Sequence, residues 1–159
     1  MKKILPIVCI CLLLFSGCQR TEAVISTPAE LAEQLARALQ EETPFTAADA
    51  DYIDSNFEGL GGDGVIYFGN DDDVCEFGIF PIANTDASTA GSVIRTYIAA
   101  EAEALASMAQ LYPSEELRER LACYRNAYIG EGGGYIYYFI MEDEDTARAR
   151  RVMEKALGI

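Results

Sequence analysis

The chain has 159 residues, of which 26 are acidic and 12 basic, and it contains neither histidine nor tryptophan. Its formal net charge of −14 at pH 7 disfavours binding to nucleic acid, whose phosphates are bound by Lys and Arg, and contact with anionic lipid surfaces. The absence of His excludes Ser-His-Asp and Cys-His catalytic systems and zinc sites that use His. Any catalysis would therefore use carboxylates, Tyr, Lys or Arg.

The N-terminal stretch has the pattern of an export signal. Lys2 and Lys3 precede an uncharged run, Ile4–Phe15. The run is too short for a membrane-spanning helix, which needs about 20 apolar residues, and it fits a secretory signal that is later removed. Its end, Phe15-Ser16-Gly17-Cys18, resembles the bacterial lipoprotein motif, in which a hydrophobic residue and two small residues precede a cysteine that receives diacylglycerol. Leucine is usual where this chain has Phe15.

This resemblance implies three parts: a signal peptide over 1–17, the lipidated Cys18 with a short polar tether over 18–27, and one domain over 28–159. Two acyl chains on Cys18 would give stable anchoring. The predicted location is the extracytoplasmic face of the bacterial cell membrane, with membrane lipid bound through acylated Cys18. An uncleaved anchor or an ordinary secretory signal is the alternative.

Five cysteines are present, and Cys9 and Cys11 lie in the signal. Of the others, Cys18 is the predicted lipid site, which leaves Cys75 and Cys123. These two are compatible with a disulfide, since the predicted compartment is oxidising. They can also be two small buried hydrophobic residues in separate strands, which is the favoured interpretation.

The predicted elements begin with a helix over 28–42, with Thr27 as N-cap, Pro28 at the first position and a leucine stripe. Residues 45–57 are predicted to be irregular or short helical. Strands over 65–68 and 74–82 form a hairpin, followed by a long helix over 86–111 and a short helix that begins near Glu115. Strands over 123–129 and 135–141 form a second hairpin, and a last helix covers 144–157.

The resulting order is α-ββ-α-ββ-α. It predicts an α+β domain with an antiparallel sheet of about four strands and helices packed on one face. The junctions after the two hairpins, residues 82–86 and 140–144, are weakly alike, which suggests a duplication.

Residues 28–157 resemble a family of Gram-positive lipoproteins known as domain of unknown function 4358. The resemblance rests on Glu30-Leu31 at a helix start, Glu76 in a strand that ends at Phe80, and Tyr112-Pro113 followed by Glu115. Asn126 in the third strand and Gly134-Tyr135 at the start of the fourth complete it. The resemblance implies a lipoprotein setting and the fold, and it brings no assigned activity.

Glu76 stands out because it interrupts an apolar strand, where an unpaired carboxylate is costly to bury. Strand alternation places it on the same face as Gly78. We expect a salt bridge with Arg95 or Arg125, or simple exposure. The functional alternative is a ligand-binding or acid/base carboxylate, with Gly78 allowing close approach to the backbone.

A second candidate is an aromatic and polar strand face. If Tyr124, Asn126 and Tyr128 lie in the third strand, they share one face and form, with Glu76, a candidate binding face. The alternative is that Tyr suits any half-exposed strand.

No motif indicates a metal or a cofactor. Asp71–Asp73 and Glu142–Asp145 lack the ligand spacing of a calcium loop, and the glycine clusters lack a phosphate-binding Gly-Lys-Ser/Thr sequence. The sequence thus favours a membrane-tethered, non-enzymatic binding or accessory protein of the cell envelope with an envelope protein or glycan as partner. The alternatives are a small carboxylate-dependent envelope enzyme acting on a wall or glycan substrate and a structural or assembly lipoprotein that pairs through an edge strand.

Overall fold

A computed structural model of the protein describes residues 26–39, 45–60, 63–69, 74–82 and 85–159, without the side chains of Val74 and Cys75. An antiparallel sheet of five strands, in the order β1-β2-β3-β5-β4, forms its centre. The strands are β1 (Thr46–Ala47), β2 (Val65–Phe68), β3 (Val74–Pro81), β4 (Tyr128–Gly132) and β5 (Tyr135–Met141). The helices are α1 (Pro28–Leu39), α2 (Ala50–Asn56), α3 (Ala87–Leu111), α4 (Glu115–Arg125) and α5 (Asp143–Leu157). The predicted α+β class is confirmed.

Two hairpins build the sheet, and their second strands pair with each other at its centre. β2 pairs with β3, β4 pairs with β5, and β3 pairs with β5. Gly133 and Gly134, with φ of 59° and 86°, join β4 to β5 in a two-residue turn, as type I′ hairpins require. The prediction of four strands missed β1, which adds only two residues at the β2 edge.

Helices cover both faces of the sheet, so the prediction that they pack on one face is wrong. One core lies between the sheet and helices α2, α3 and α4, and it includes Phe80, Ile94 and Tyr138. The other lies under α1 and α5 and includes Leu35, Phe139 and Met153. The reason is visible in β5, all of whose residues are buried. Its unbroken apolar run is typical of a strand that is covered on both sides.

The predicted strand over 123–129 is also wrong. Cys123 and Tyr124 belong to α4, and β4 begins only at Tyr128. Ser114 caps α4 by accepting a hydrogen bond from the amide of Leu117 at 3.1 Å. With Leu121 and Tyr124 buried one turn apart, α4 keeps a helical apolar face through the residues assigned to a strand.

The N-terminus of α1 is fixed to one end of the sheet. Thr27 and Glu30 form a capping box, in which each side chain accepts a hydrogen bond from the other residue's amide. The carbonyl oxygen of Ser26 accepts a hydrogen bond of 2.6 Å from the Tyr135 hydroxyl at the start of β5. Ser26 therefore lies at the end of the sheet that carries the β4–β5 turn.

Several sequence predictions concern residues outside those described. They are the signal motif Phe15–Cys18, the lipid site Cys18, the tether up to residue 25 and the Asp71–Asp73 turn. In the described part of the chain, no helix combines the length and apolar character needed to cross a membrane.

Candidate functional site

Glu76 is a buried carboxylate at the centre of the sheet, with 1% of its surface exposed. It lies on β3 opposite Phe68 of β2 and Ile140 of β5. The pairing register shifts between Val74 and Glu76. From Glu76 onward the pairing is regular, so Glu76 shares a face with Gly78 and Phe80 and points into the core under α2, α3 and α4, where its hydroxyl partners lie.

Three tyrosine hydroxyls from three different elements donate hydrogen bonds to this carboxylate. Tyr97 of α3 donates to Oε2 at 2.8 Å, and Tyr124 of α4 donates to the same oxygen at 3.2 Å. Tyr138 of β5 donates to Oε1. No basic side chain among the described residues forms an ion pair with Glu76. The predicted salt bridge to Arg95 or Arg125, and the predicted exposure, are therefore both wrong.

Gly78 makes room for one of these donors. A Cβ built at Gly78 would lie 2.4 Å from Cε1 of Tyr138, so the Tyr138 ring occupies the space that any other side chain would need. Gly78 and Tyr138 are register partners, and the ring crosses the glycine to reach Glu76 two residues away. The close approach expected at Gly78 is thus made by a side chain of this chain.

The electrostatics of the cluster follow from its burial. Desolvation raises the pKa of the Glu76 carboxyl, the hydroxyl hydrogen bonds lower it in part, and the nearby Glu101 raises it further. Burial and then the Glu76 charge raise the pKa values of Tyr97 and Tyr138. Both phenols consequently stay protonated at neutral pH and act as donors.

A fourth tyrosine connects this cluster to the surface. The hydroxyl of Tyr52 on α2 lies 2.8 Å from the hydroxyl of Tyr97. Because Tyr97 donates its proton to Glu76, Tyr52 must donate to Tyr97. Tyr52 is half-buried, so a chain of hydroxyls runs from the domain surface to the carboxylate.

The four residues predicted to share a binding face do not do so. Glu76 and Tyr124 meet inside one core. Asn126 ends α4 and is exposed, and it lines a groove of about 310 Å³ with Glu119 and Glu142. Tyr128 faces the opposite core, where its ring stacks on Phe139 at 5.7 Å and lies 4.7 Å from the Arg150 guanidinium.

The predicted disulfide between Cys75 and Cys123 falls partly outside the described residues. Cys123 is buried on α4, whereas the side chain of Cys75 is among those not described. The disulfide stays a prediction, although the placement of Cys123 in a third strand is wrong.

Among the described residues, Glu76 lies apart from the surface grooves. None of the main grooves that these residues form has Glu76 in its lining. No group of three or more Cys, Asp or Glu in the described ranges is placed to hold a metal ion. What the cluster does chemically is hold α3 and α4 on the sheet through shared hydroxyl–carboxylate bonds.

Sequence reasoning missed the roles of Tyr52, Tyr97 and Tyr138. Tyr97 has the spacing of the α3 apolar face, and nothing in its neighbours marks it as a donor. The usable signal was at the other end of the bond. In this chain Glu76 is followed two residues later by Gly78 in an otherwise apolar strand, and the Tyr138 ring lies over that glycine and donates to the acid.

Comparisons with protein-family models, curated proteins and solved structures found no match. The resemblance to the Gram-positive lipoprotein family therefore stays a prediction.

Proposed function

We propose that the protein is a lipid-anchored lipoprotein on the extracytoplasmic face of the bacterial cell membrane, where its domain acts by binding an envelope partner rather than by catalysis. The observation that carries the anchor is the motif Phe15-Ser16-Gly17-Cys18 at the end of a short apolar run. The family that the domain resembles has the same setting.

The position of Ser26 supports close tethering. Because the Ser26 carbonyl is bonded to Tyr135, the free chain between lipid and domain would extend only from Cys18 to Ser26. Fully extended, that chain spans at most about 30 Å. The domain would then work just outside the bilayer, with the β4–β5 end of its sheet toward the membrane.

A binding role is favoured over catalysis by the environment of Glu76. A general acid or base must come within hydrogen-bond reach of its substrate. Both oxygens of Glu76 instead accept hydrogen bonds from buried tyrosine hydroxyls. The surfaces left for a partner are the helices and the strand edges, since both faces of the sheet are covered.

The anchor is tested by Cys18→Ser in the expressing bacterium. We expect the wild type to take up radiolabelled palmitate and sediment with membranes, and the Cys18→Ser variant to lose both properties because no thiol remains for the lipid. Cys9→Ser is the matched control, since Cys9 lies inside the signal and should leave labelling unchanged. Continued labelling of Cys18→Ser, or an unlabelled wild type, would reject the lipoprotein assignment.

Binding is tested by crosslinking in intact cells, followed by identification of the crosslinked sites on both molecules. A role in binding predicts one recurring partner whose crosslinks map to a single surface of residues 26–159. Crosslinks scattered over the whole domain, or none at all, would reject it.

A further inference from the structure

β4 forms an edge of the sheet that no other described strand covers. It has five residues, whereas the strand at the opposite edge has two. Edge strands expose unpaired backbone groups, and proteins commonly protect them with charges, prolines or bulges. β4 carries one charge, Glu131, and its pairing with β5 is regular from end to end.

The hairpin register fixes which backbone groups of β4 point outward. In a two-residue hairpin the closing pair, here Gly132 and Tyr135, is hydrogen-bonded, and bonded and non-bonded pairs then alternate. The amides and carbonyls of Gly130 and Tyr128 therefore face β5. Those of Ile129 and Glu131 face away from the sheet, and the described chain provides no backbone hydrogen bond to either residue.

A groove runs beside this edge, between β4 and the first half of α3. It has a volume of about 500 Å³. Apart from Arg95, its α3 wall is made of small residues. The groove is lined chiefly by Ala87, Ser88, Gly91, Arg95, Ile129 and Glu131. Side chains from a strand added to β4 would alternate, and every second one would enter this groove.

Two opposite charges lie in the groove. The guanidinium of Arg95 folds back over Gly91, with Nη1 only 3.2 Å from where a Cβ would be. Arg95 is exposed, and no described side chain forms an ion pair with it. Since the Ile82 amide bonds to the Gly134 carbonyl, α3 begins beside the β4–β5 turn and runs away from it. Arg95 therefore lies toward the Ile129 end of β4.

We propose that an extended segment of another envelope protein adds as a sixth strand to β4, with an acidic side chain placed on Arg95. This mode joins main-chain hydrogen bonds, which give affinity, to pockets for alternate side chains, which give specificity. The Ile129 and Glu131 backbones supply the hydrogen bonds, and Arg95 forms an ion pair with the acidic residue. Glu131 favours a basic or neutral side chain in the part of the added strand that lies beside it.

The choice of another protein over a second copy rests on the proposed lipid anchor. A twofold pairing of β4 with its own copy is antiparallel, so the two Ser26 ends would point in opposite directions along the strands. Two anchored copies need both ends toward one membrane. Their shared negative charge also opposes association.

The test uses purified protein without its signal and a display library of short random peptides. We expect selected peptides to share an acidic position, and each to slow amide exchange at Ile129 and Glu131. Ile129→Pro removes one outward amide that β5 does not use, and should weaken binding about tenfold. Peptides selected by Arg95→Glu should carry a basic residue where those selected by the wild type carry an acidic one. Arg118→Glu changes an exposed residue of α4 and should select the same peptides as the wild-type protein.

Several outcomes would overturn the proposal. They are no enriched peptide, the same peptides selected by Arg95→Glu, or binding without protection of the two amides. Protection before any peptide is added would assign the edge to a segment of this chain, and dimers dissociated by Ile129→Pro would assign it to a second copy. None of these results depends on Cys18, so failure here is separate from failure of the lipid anchor.

Discussion

Glu76 persists in the core because its hydroxyl donors replace the water that the carboxylate loses. An ionised carboxylate without partners is too costly to bury, and hydrogen bonds to a charged group contribute about 1.5 to 3 kcal/mol each. Tyr97, Tyr124 and Tyr138 together occupy both of its oxygens. The same bonds tie two helices to the central strands, so this residue contributes to tertiary structure and not to an open site.

Tyr138→Phe removes one hydroxyl oxygen and so tests how much its hydrogen bond to Glu76 stabilises the fold. The ring is kept and the single donor to Oε1 is lost, so we expect the free energy of unfolding to fall by about 1.5 to 3 kcal/mol. Denaturant unfolding followed by circular dichroism measures the loss. Tyr128→Phe is the matched control, because no hydrogen bond of its hydroxyl is seen among the described residues, and it should change stability by less than about 0.5 kcal/mol. Equal losses in the two variants would contradict the argument.

The sequence identified Glu76 but not its partners, for a physical reason. A charge in an apolar strand is a local anomaly that a single sequence displays. Its donors lie 21, 48 and 62 residues further along the chain. Only the packing of separate elements brings them together, and a tyrosine on an apolar helix face looks the same whether its hydroxyl has a buried acceptor or reaches water.

At the scale of elements, the pairing of β3 with β5 depends on the missing side chain at Gly78. Phe80 and Tyr138 stack nearby on Phe57, so the ring over Gly78 belongs to a packed aromatic group with little space to move. A side chain at this position would push Tyr138 away from Glu76 and disturb the helices above.

Gly78→Ala should therefore destabilise the protein by about 1 to 3 kcal/mol, the usual effect of overpacking a core. The measurement is again denaturant unfolding, with near-ultraviolet circular dichroism reporting the environment of the tyrosines. Gly91→Ala is the control, since it adds the same methyl group in a helix against the mobile end of the Arg95 side chain. Alanine should there stabilise α3 by up to about 1 kcal/mol. A neutral Gly78→Ala would show that the ring position is not constrained.

Elements set by local contacts were predictable, and those set by distant contacts were not. The β2–β3 hairpin, β5 and the long helix α3 follow from alternation, turn glycines and the Asp86 cap, whose side chain accepts a 2.9 Å bond from the Thr89 amide. The prediction of a third strand over 123–129 was wrong. Cys123 and Tyr124 are residue types common in strands, but here they are buried as part of the α4 helix.

For the whole molecule, the two hairpins are not simple copies of one unit. If the two hairpins were repeats related by a twofold axis perpendicular to the sheet between β3 and β5, the helix after each hairpin would lie on the same face of the sheet. Instead α3 packs on one face of the sheet and α5 on the other. The weak likeness of the two junctions therefore does not extend to their packing. Glu76, on the α3 face of the sheet, is 1% exposed.

That burial makes the stability of the molecule depend on pH in a defined direction. Because desolvation raises the pKa of Glu76 above its ordinary value of 4.5, the folded state binds a proton at pH values where the unfolded chain has released it. The unfolding free energy then falls as pH rises through that window. A tenfold difference in proton affinity corresponds to about 1.4 kcal/mol.

Glu76→Gln isolates this effect, since the amide keeps the shape of the side chain and does not titrate. Repulsion among the many surface carboxylates also grows with pH, but it is common to both proteins and cancels in their difference. We expect the stability of the wild type relative to Glu76→Gln to be constant below pH 4.5 and to decline above it until the folded carboxyl has ionised. Denaturant titrations across this range measure the difference. A difference that stays level would mean that the three hydroxyls stabilise the carboxylate by as much as burial costs it, and one that grows in favour of the wild type would mean that they stabilise it by more.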